Sequence, residues 1–269
     1  MLKEGTEAVD LVKIALEISR DVDPDLVVDD YLAKLEALAE RVRQRCRRLV
    51  DVRQVLGQIQ WVLFVEEGYR GNQGDYFDPR NSSLSEVIDR KTGIPLTLSL
   101  IYWRIAERLG LAIGGVNTPS HFLLRLEEGA PISQPLFIDP FHEGRLLDLT
   151  ACRRFISEFA AGTSLVGEAH FLPCSPRIVV ARLLRNLKAI HIASNDYPAL
   201  LPVQRRLTAL FPNDPIEQRD LGMLYCRLEK SIQAVPYLEA FLSKSFGHPE
   251  AEPVAVLLRA IRRESALRN

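Results

Sequence analysis

The chain has 269 residues, 34 basic and 35 acidic side chains, a formal net charge of −1 and 47% apolar residues. That length and apolar content fit two domains with buried cores. The balanced, interspersed charge excludes a global field that would draw nucleic acid or an anionic membrane. Cys46, Cys152, Cys174 and Cys226 are dispersed without a C-x-x-C pair, so free thiols are expected rather than a disulfide framework or a zinc finger.

Met1 to Asp10 is acidic and broken by charge, unlike a signal peptide, and no apolar run approaches the ~20 residues of a membrane span. A cytoplasmic location is therefore expected. Apolar spacing then predicts helices through Leu11, Ile14, Ala15 and Ile18, through Leu32, Leu35, Leu38 and Ala39, and through Leu56, Ile59, Val62 and Leu63, punctuated by Pro24 and Asp51. Arg41, Arg43, Arg45, Arg47 and Arg48 lie on one of these helices without interleaved aromatic residues, which reads as a solvated face. Gly68 to Asn81 is rich in Gly, Asn, Asp and aromatic residues and suits an ordered loop; it lacks the lysine of a phosphate loop.

Ser83 with Glu86 forms a capping-box pattern for a short helix ending near Arg90. The next helix starts at Pro95, where the missing N–H is tolerated. Its stripe of Leu98, Ile101, Tyr102, Ile105 and Leu109 predicts a mostly buried central helix, with Arg104, Glu107 and Arg108 on a narrow wet face. From His121 the period changes to two, predicting a strand through Leu126. After a turn-rich segment from Glu127 to Pro135, a second strand carries Phe137 and Asp139 on one face, and antiparallel pairing would set His121 beside Asp139. A strand or turn through Leu147 leads to a helix from about Thr150 to Ala161. His142 and Glu143 match no zinc-ligand spacing and read as solvated turn residues.

Beyond Pro176 everything reads as helix at repeat spacing. Leu221, Gly222, Tyr225, Ala234, Leu238 and Phe241 fit a 34-residue tetratricopeptide template, and an offset of 34 places Leu184, Leu187, Leu207 and Pro212 in a preceding unit. That unit is degenerate, with Lys188 where a small residue belongs and His191 where Tyr belongs. A last helix, Pro253 to Ala266, sets Val254, Leu257, Leu258 and Ile261 against Arg259, Arg262 and Arg263, as a solvating cap would.

The combination is specific. Tyr76-x-Asp78-Pro79-x-Asn81-Ser82 precedes the central helix, Gly93-Ile94-Pro95-Leu96-Thr97-Leu98-Ser99 opens it, and Ser120-His121-Phe122-Leu123-Leu124-Arg125 and Phe137-Ile138-Asp139-Pro140-Phe141 follow. With the TPR-like C-terminus, this resembles the SirB-type family of bacterial proteins, whose N-terminal domain is transglutaminase-like. The resemblance implies an α+β fold: a transglutaminase-like (papain-like) domain with a helical N-terminal part and a small antiparallel sheet, residues 1–173, then an all-α TPR-like domain, residues 174–269. In transglutaminase-like and papain-like folds the helix N-terminus carries a nucleophilic cysteine, and counting back from Leu109-Gly110 puts that position on Pro95. Two parts of a Cys–His–Asp triad remain, His121 and Asp139, as a vestigial pair.

The expected function is a non-catalytic scaffold or regulator that binds a protein or peptide through the TPR-like groove or through a pocket formed by Asn81, Thr97, Ser99, His121 and Asp139. No cofactor, metal, nucleic acid or membrane is expected. The alternative is a hydrolase or acyltransferase that uses His121 and Asp139 with another nucleophile, for which Thr97, Ser99 and Cys152 are the candidates. Cys152, near the start of a helix, would have its pKa lowered by the dipole.

Overall fold

The computed structural model describes residues 9–46, 51–126, 135–159 and 167–268. The segment before residue 9, Arg47, Arg48, residues 127–134 of the stretch predicted to be turn-rich and the end of the helix predicted to reach Ala161 lie outside the described residues. Two compact units are present, one ending at Leu183 and the other beginning at Leu184.

In the first unit, three helices come first: α1 (Leu11–Ser19), α2 (Val28–Arg45) and α3 (Val52–Gln60). Asp10 caps α1 by accepting from the Lys13 N–H, and Asp51 caps α3 by accepting from Arg53 and Gln54, so the residue read as punctuation marks a helix start. A π-helical turn, Trp61–Glu66, extends α3. The α2 arginines are spent internally: Arg41 pairs with Glu66 and Glu67, Arg45 with Glu66, and Arg43 with Glu40.

Two short strands, β1 (Arg70–Gly71) and β2 (Thr92–Gly93), pair in parallel around α4 (Leu84–Arg90). The capping box predicted at Ser83 is not formed. Ser83 stands at the N-cap without a side-chain cap bond, its hydroxyl lies 3.2 Å from that of Ser85, and the Leu84 N–H instead donates to Ser19 Oγ of α1 at 3.0 Å. Ser19 thus satisfies the first N–H of α4, a donor that a capping box does not reach, while the Ser83 hydroxyl lies against Ser85.

Helix α5 (Pro95–Arg108) is buried along most of its length, as its stripe predicts. Arg104 is the exception to the predicted wet face: it is buried and spans Asp10 at 3.1 Å and Glu36 at 3.2 Å. Burial of a guanidinium needs such paired carboxylates.

The sheet has the order β3-β4-β5-β6 and is antiparallel throughout: β3 (Ile113–Thr118), β4 (His121–Leu126), β5 (Leu136–Asp139) and β6 (Arg145–Leu147). Strand alternation sends two residue sets to opposite faces. Val116, Leu123 and Phe137 pack with Cys152, Phe155 and Ile156 of α6 (Leu149–Phe159). On the other face, Gly115 lets the rings of Phe122 and Trp103, from α5, come close; a Cβ there would lie 2.6 and 2.7 Å from them. The sheet is thus covered by α5 on one side and α6 on the other.

Helix α7 (Pro176–Ala193) carries the chain from one unit into the next. The second unit continues with α8 (Tyr197–Leu210), α9 (Pro215–Arg227), α10 (Ser231–Lys244) and α11 (Ala251–Arg268). Its core joins Leu221, Tyr225, Ala234, Leu238 and Phe241, which the repeat template singles out, to Val254, Leu258 and Ile261 of the capping helix α11. The degenerate position Lys188 is explained by its partners on α9. Lys188 lies 2.6 Å from Asp220 and 3.4 Å from the buried Glu217, whose carboxylate also accepts from Gln204 Nε2 at 2.8 Å.

Candidate functional site

The loop before α5 is built on its own polar groups. Asn81 is fully buried; its Nδ2 donates to Asp75 O at 2.7 Å and its Oδ1 accepts from Asn72 Nδ2 at 3.1 Å. Thr97 Oγ1 donates to Asn81 O at 2.8 Å and accepts from the Ile94 N–H at 3.1 Å, so this hydroxyl ties the loop to the first turn of α5. Pro95 is buried at the first position of that helix. Ser99 Oγ is buried and, among the described residues, has no hydrogen-bond partner. A nucleophilic hydroxyl needs a base within hydrogen-bond reach, and Ser99 has none. Ser99→Ala should therefore leave stability unchanged or raise it by up to about 1 kcal/mol, because an unpaired buried hydroxyl is a cost; thermal melting checks this.

Asp78 anchors the same loop. It accepts from Arg80 at 2.7 Å and from Arg90 at 3.3 Å, and the Arg80 hydrogen bonds, aided by Arg90, hold its carboxyl below the usual range against burial. A carboxyl depressed in the folded state contributes stability that is present above its unfolded value near ~3.9 and is lost as pH falls through the folded pKa. The stability gap between wild type and Asp78→Asn, measured by urea titration, should be constant from neutral pH to about 5 and close below about 4.

His121 and Asp139 come together as the strand phases predict. His121 opens β4 and Asp139 closes β5, two residues out of direct register and on the same face, and His121 Nε2 lies 2.9 Å from Asp139 Oδ1. Asp139 is fully buried. Burial raises its carboxyl, but the hydrogen bond and charge of His121, with those of His142, reverse this and hold it below the usual range. An ionised carboxylate only accepts, so both imidazoles donate to it.

His142 is the residue the sequence reading missed. Pro140 starts a 3-10 turn, Pro140–His142, that folds His142 back over Asp139, so that Nδ1 lies 2.7 Å from Oδ2. His142 is therefore a partner of the pair and not a solvated turn residue; Glu143, beside it, is exposed. Arg145 Nη2 also reaches Oδ2, at 3.4 Å, with its guanidinium over the Phe155 ring at 4.5 Å. Rings of Phe141 and Phe155 flank His121 at 5.9 and 5.1 Å.

The link from this pair to the start of α5 runs through Phe141. Gly93, just before Pro95, pairs with Gly71, and a Cβ on Gly71 would lie 2.6 Å from the Phe141 ring. The His–Asp pair belongs to the face that α6 covers, whereas Thr97 and Ser99 are spent or enclosed within α5 and its loop. Cys152 lies in the α6 core, and burial, with the Asp139 charge second, pushes its thiol up to about 12. The expected lowering by the helix dipole is overturned, since desolvation disfavours thiolate more strongly than the helix start favours it.

Comparison with known proteins gives this fold a family. The profile of the transglutaminase-like superfamily matches residues 29–185, and a tetratricopeptide-repeat profile matches residues 187–263. A UPF0162 protein of Xylella fastidiosa (strain 9a5c) is 32% identical over 82% of this chain and 79% of its own length. Protein SirB1 of Salmonella typhimurium is 26% identical over 92% of this chain and 88% of its own. F-box only protein 21 of Mus musculus is 38% identical over a shorter stretch, 39% of this chain and 18% of its own. A His–Asp pair at paired strand ends, a proline-led central helix, a TPR region after it and relatives that share both parts have one reading: the chain belongs to the transglutaminase-like superfamily, among the UPF0162 and SirB-type proteins.

Proposed function

We propose that this protein is a non-catalytic scaffold or regulator that binds a protein or peptide partner through its TPR unit. The observation that carries the reading is Pro95. A proline buried at the first position of the central helix offers no nucleophile where the family's hydrolases carry cysteine, and Thr97, Ser99 and Cys152 are each committed to the core. The remaining His121 and Asp139 hold together the ends of two strands. Helix pairs of the TPR kind present a face suited to an extended or helical peptide, and α9 leaves Met223 exposed on its surface.

The test is co-purification of the full-length chain from its native cells, in wild type, Met223→Glu and His121→Ala. A stoichiometric partner retained by His121→Ala and lost in Met223→Glu is the expected result. Catalytic turnover of an acyl substrate, or a partner lost in His121→Ala and kept in Met223→Glu, would overturn it.

A further inference from the structure

We infer that His121, Asp139 and His142 form a binding site for one divalent transition-metal ion. One nitrogen from each imidazole and one carboxylate oxygen lie within 4.8 Å of one another. His121 Nε2 lies 2.9 Å from Asp139 Oδ1 and His142 Nδ1 lies 2.7 Å from Oδ2, so each imidazole now faces its own oxygen of the carboxylate. Ligand atoms bonded to zinc at ~2.0–2.1 Å in a tetrahedron sit about 3.3 Å apart, so donors that already lie within 4.8 Å of one another need side-chain adjustments of no more than about 1.5 Å.

The donor set defines the class of ion. Two imidazoles and a carboxylate suit zinc, cobalt, nickel or ferrous iron, whereas calcium and magnesium take oxygen ligands. Three protein ligands leave coordination positions open; His142 is about one-third exposed while the other two ligands are buried. Backbone contacts fix both ends: Thr118 Oγ1 donates to His121 O at 2.9 Å, and the Gly144 N–H donates to Asp139 O at 2.9 Å. Phe141 and Phe155 supply an apolar wall, the kind of shell that limits solvent access to a metal site.

Two rearrangements accompany binding. The imidazole nitrogens that now donate to Asp139 must be bare to ligate, so each proton moves to the other ring nitrogen or to solvent. Arg145, nearly half exposed, competes with the ion for Asp139 Oδ2 and must swing away. This second step gives the site a signature that ligand removal alone does not have: taking the guanidinium away should tighten binding.

The experiment uses untagged full-length protein, stripped with a chelator and titrated with Co2+ alone, followed by visible absorption and equilibrium dialysis. One Co2+ per chain is expected, displaced by Zn2+. His142→Ala should weaken binding at least about tenfold, since even outer-shell changes cost 10–100-fold, and Arg145→Gln should strengthen it. No stoichiometric Co2+ in the wild type, or an affinity unchanged in His142→Ala, overturns the assignment. If the histidine variant fails to fold, Arg145→Gln decides: an affinity no higher than wild type overturns it as well.

Discussion

Asp139→Ala should cost about 3–5 kcal/mol in the stability of the first unit, because it takes the acceptor from two imidazole N–H groups and leaves Arg145 without its carboxylate. The magnitude follows from the asymmetry of buried polar groups: removing one partner exposes the desolvation cost of those that stay. His142→Ala, at a ring about one-third exposed, should cost only about 1 kcal/mol. Urea denaturation of the two variants separates a structural pair from a decorative one. A cost for Asp139→Ala no larger than that for His142→Ala would mean the carboxylate does not hold the strand ends together.

Gly222→Leu should destabilise the TPR unit by about 1–3 kcal/mol. Any Cβ on Gly222 meets Leu238 Cδ2 at 2.5 Å and Cγ at 2.8 Å, and the Leu238 backbone N at 3.3 Å, so α9 and α10 would have to part. Helix propensity works the other way, favouring leucine over glycine by roughly 0.5–1 kcal/mol, and the overpacking outweighs it. Gly57→Ala in α3 is the control: nothing lies within 4 Å of its Cβ position, so propensity acts alone and should raise stability by about 0.4–1 kcal/mol. Thermal melts of opposite sign for these two glycines are expected, and an unchanged melt for Gly222→Leu would remove the close helix contact from the account.

What the sequence showed tracks how local each signal is. The TPR positions Leu221, Gly222, Tyr225 and Ala234 and the α5 stripe follow a period that the helix itself imposes, and the structure places them as read. Strand β3 was not legible, because Ile113-Gly114-Gly115-Val116-Asn117-Thr118 carries two glycines where alternation would show apolar side chains. Gly115 is there for a tertiary reason, the approach of Trp103 and Phe122.

The same distinction governs the site. His121 and Asp139 were legible because each sits in a strand pattern. His142 was not, since its place depends on the turn that Pro140 starts; an Asp-Pro-x-His run, which puts the ring one 3-10 turn beyond the carboxylate, is the signal that could have found it. Arg104 was read as wet because its partners, Asp10 and Glu36, come from other helices. The Ser83 capping box does not form: its hydroxyl lies against Ser85, while Ser19, 65 residues from Leu84, takes the first N–H of the helix.

The central claim, that the transglutaminase-like frame survives here without a nucleophile, is tested most directly by steady-state turnover. Wild type and His121→Ala should be assayed side by side on an activated ester and on a glutamine-containing peptide with an amine acceptor. Equal rates, both at the level of buffer, are predicted, because Pro95 supplies no nucleophile and the hydroxyls and thiol nearby are enclosed. Turnover by the wild type that disappears in a His121→Ala variant with an unchanged melting temperature would contradict it.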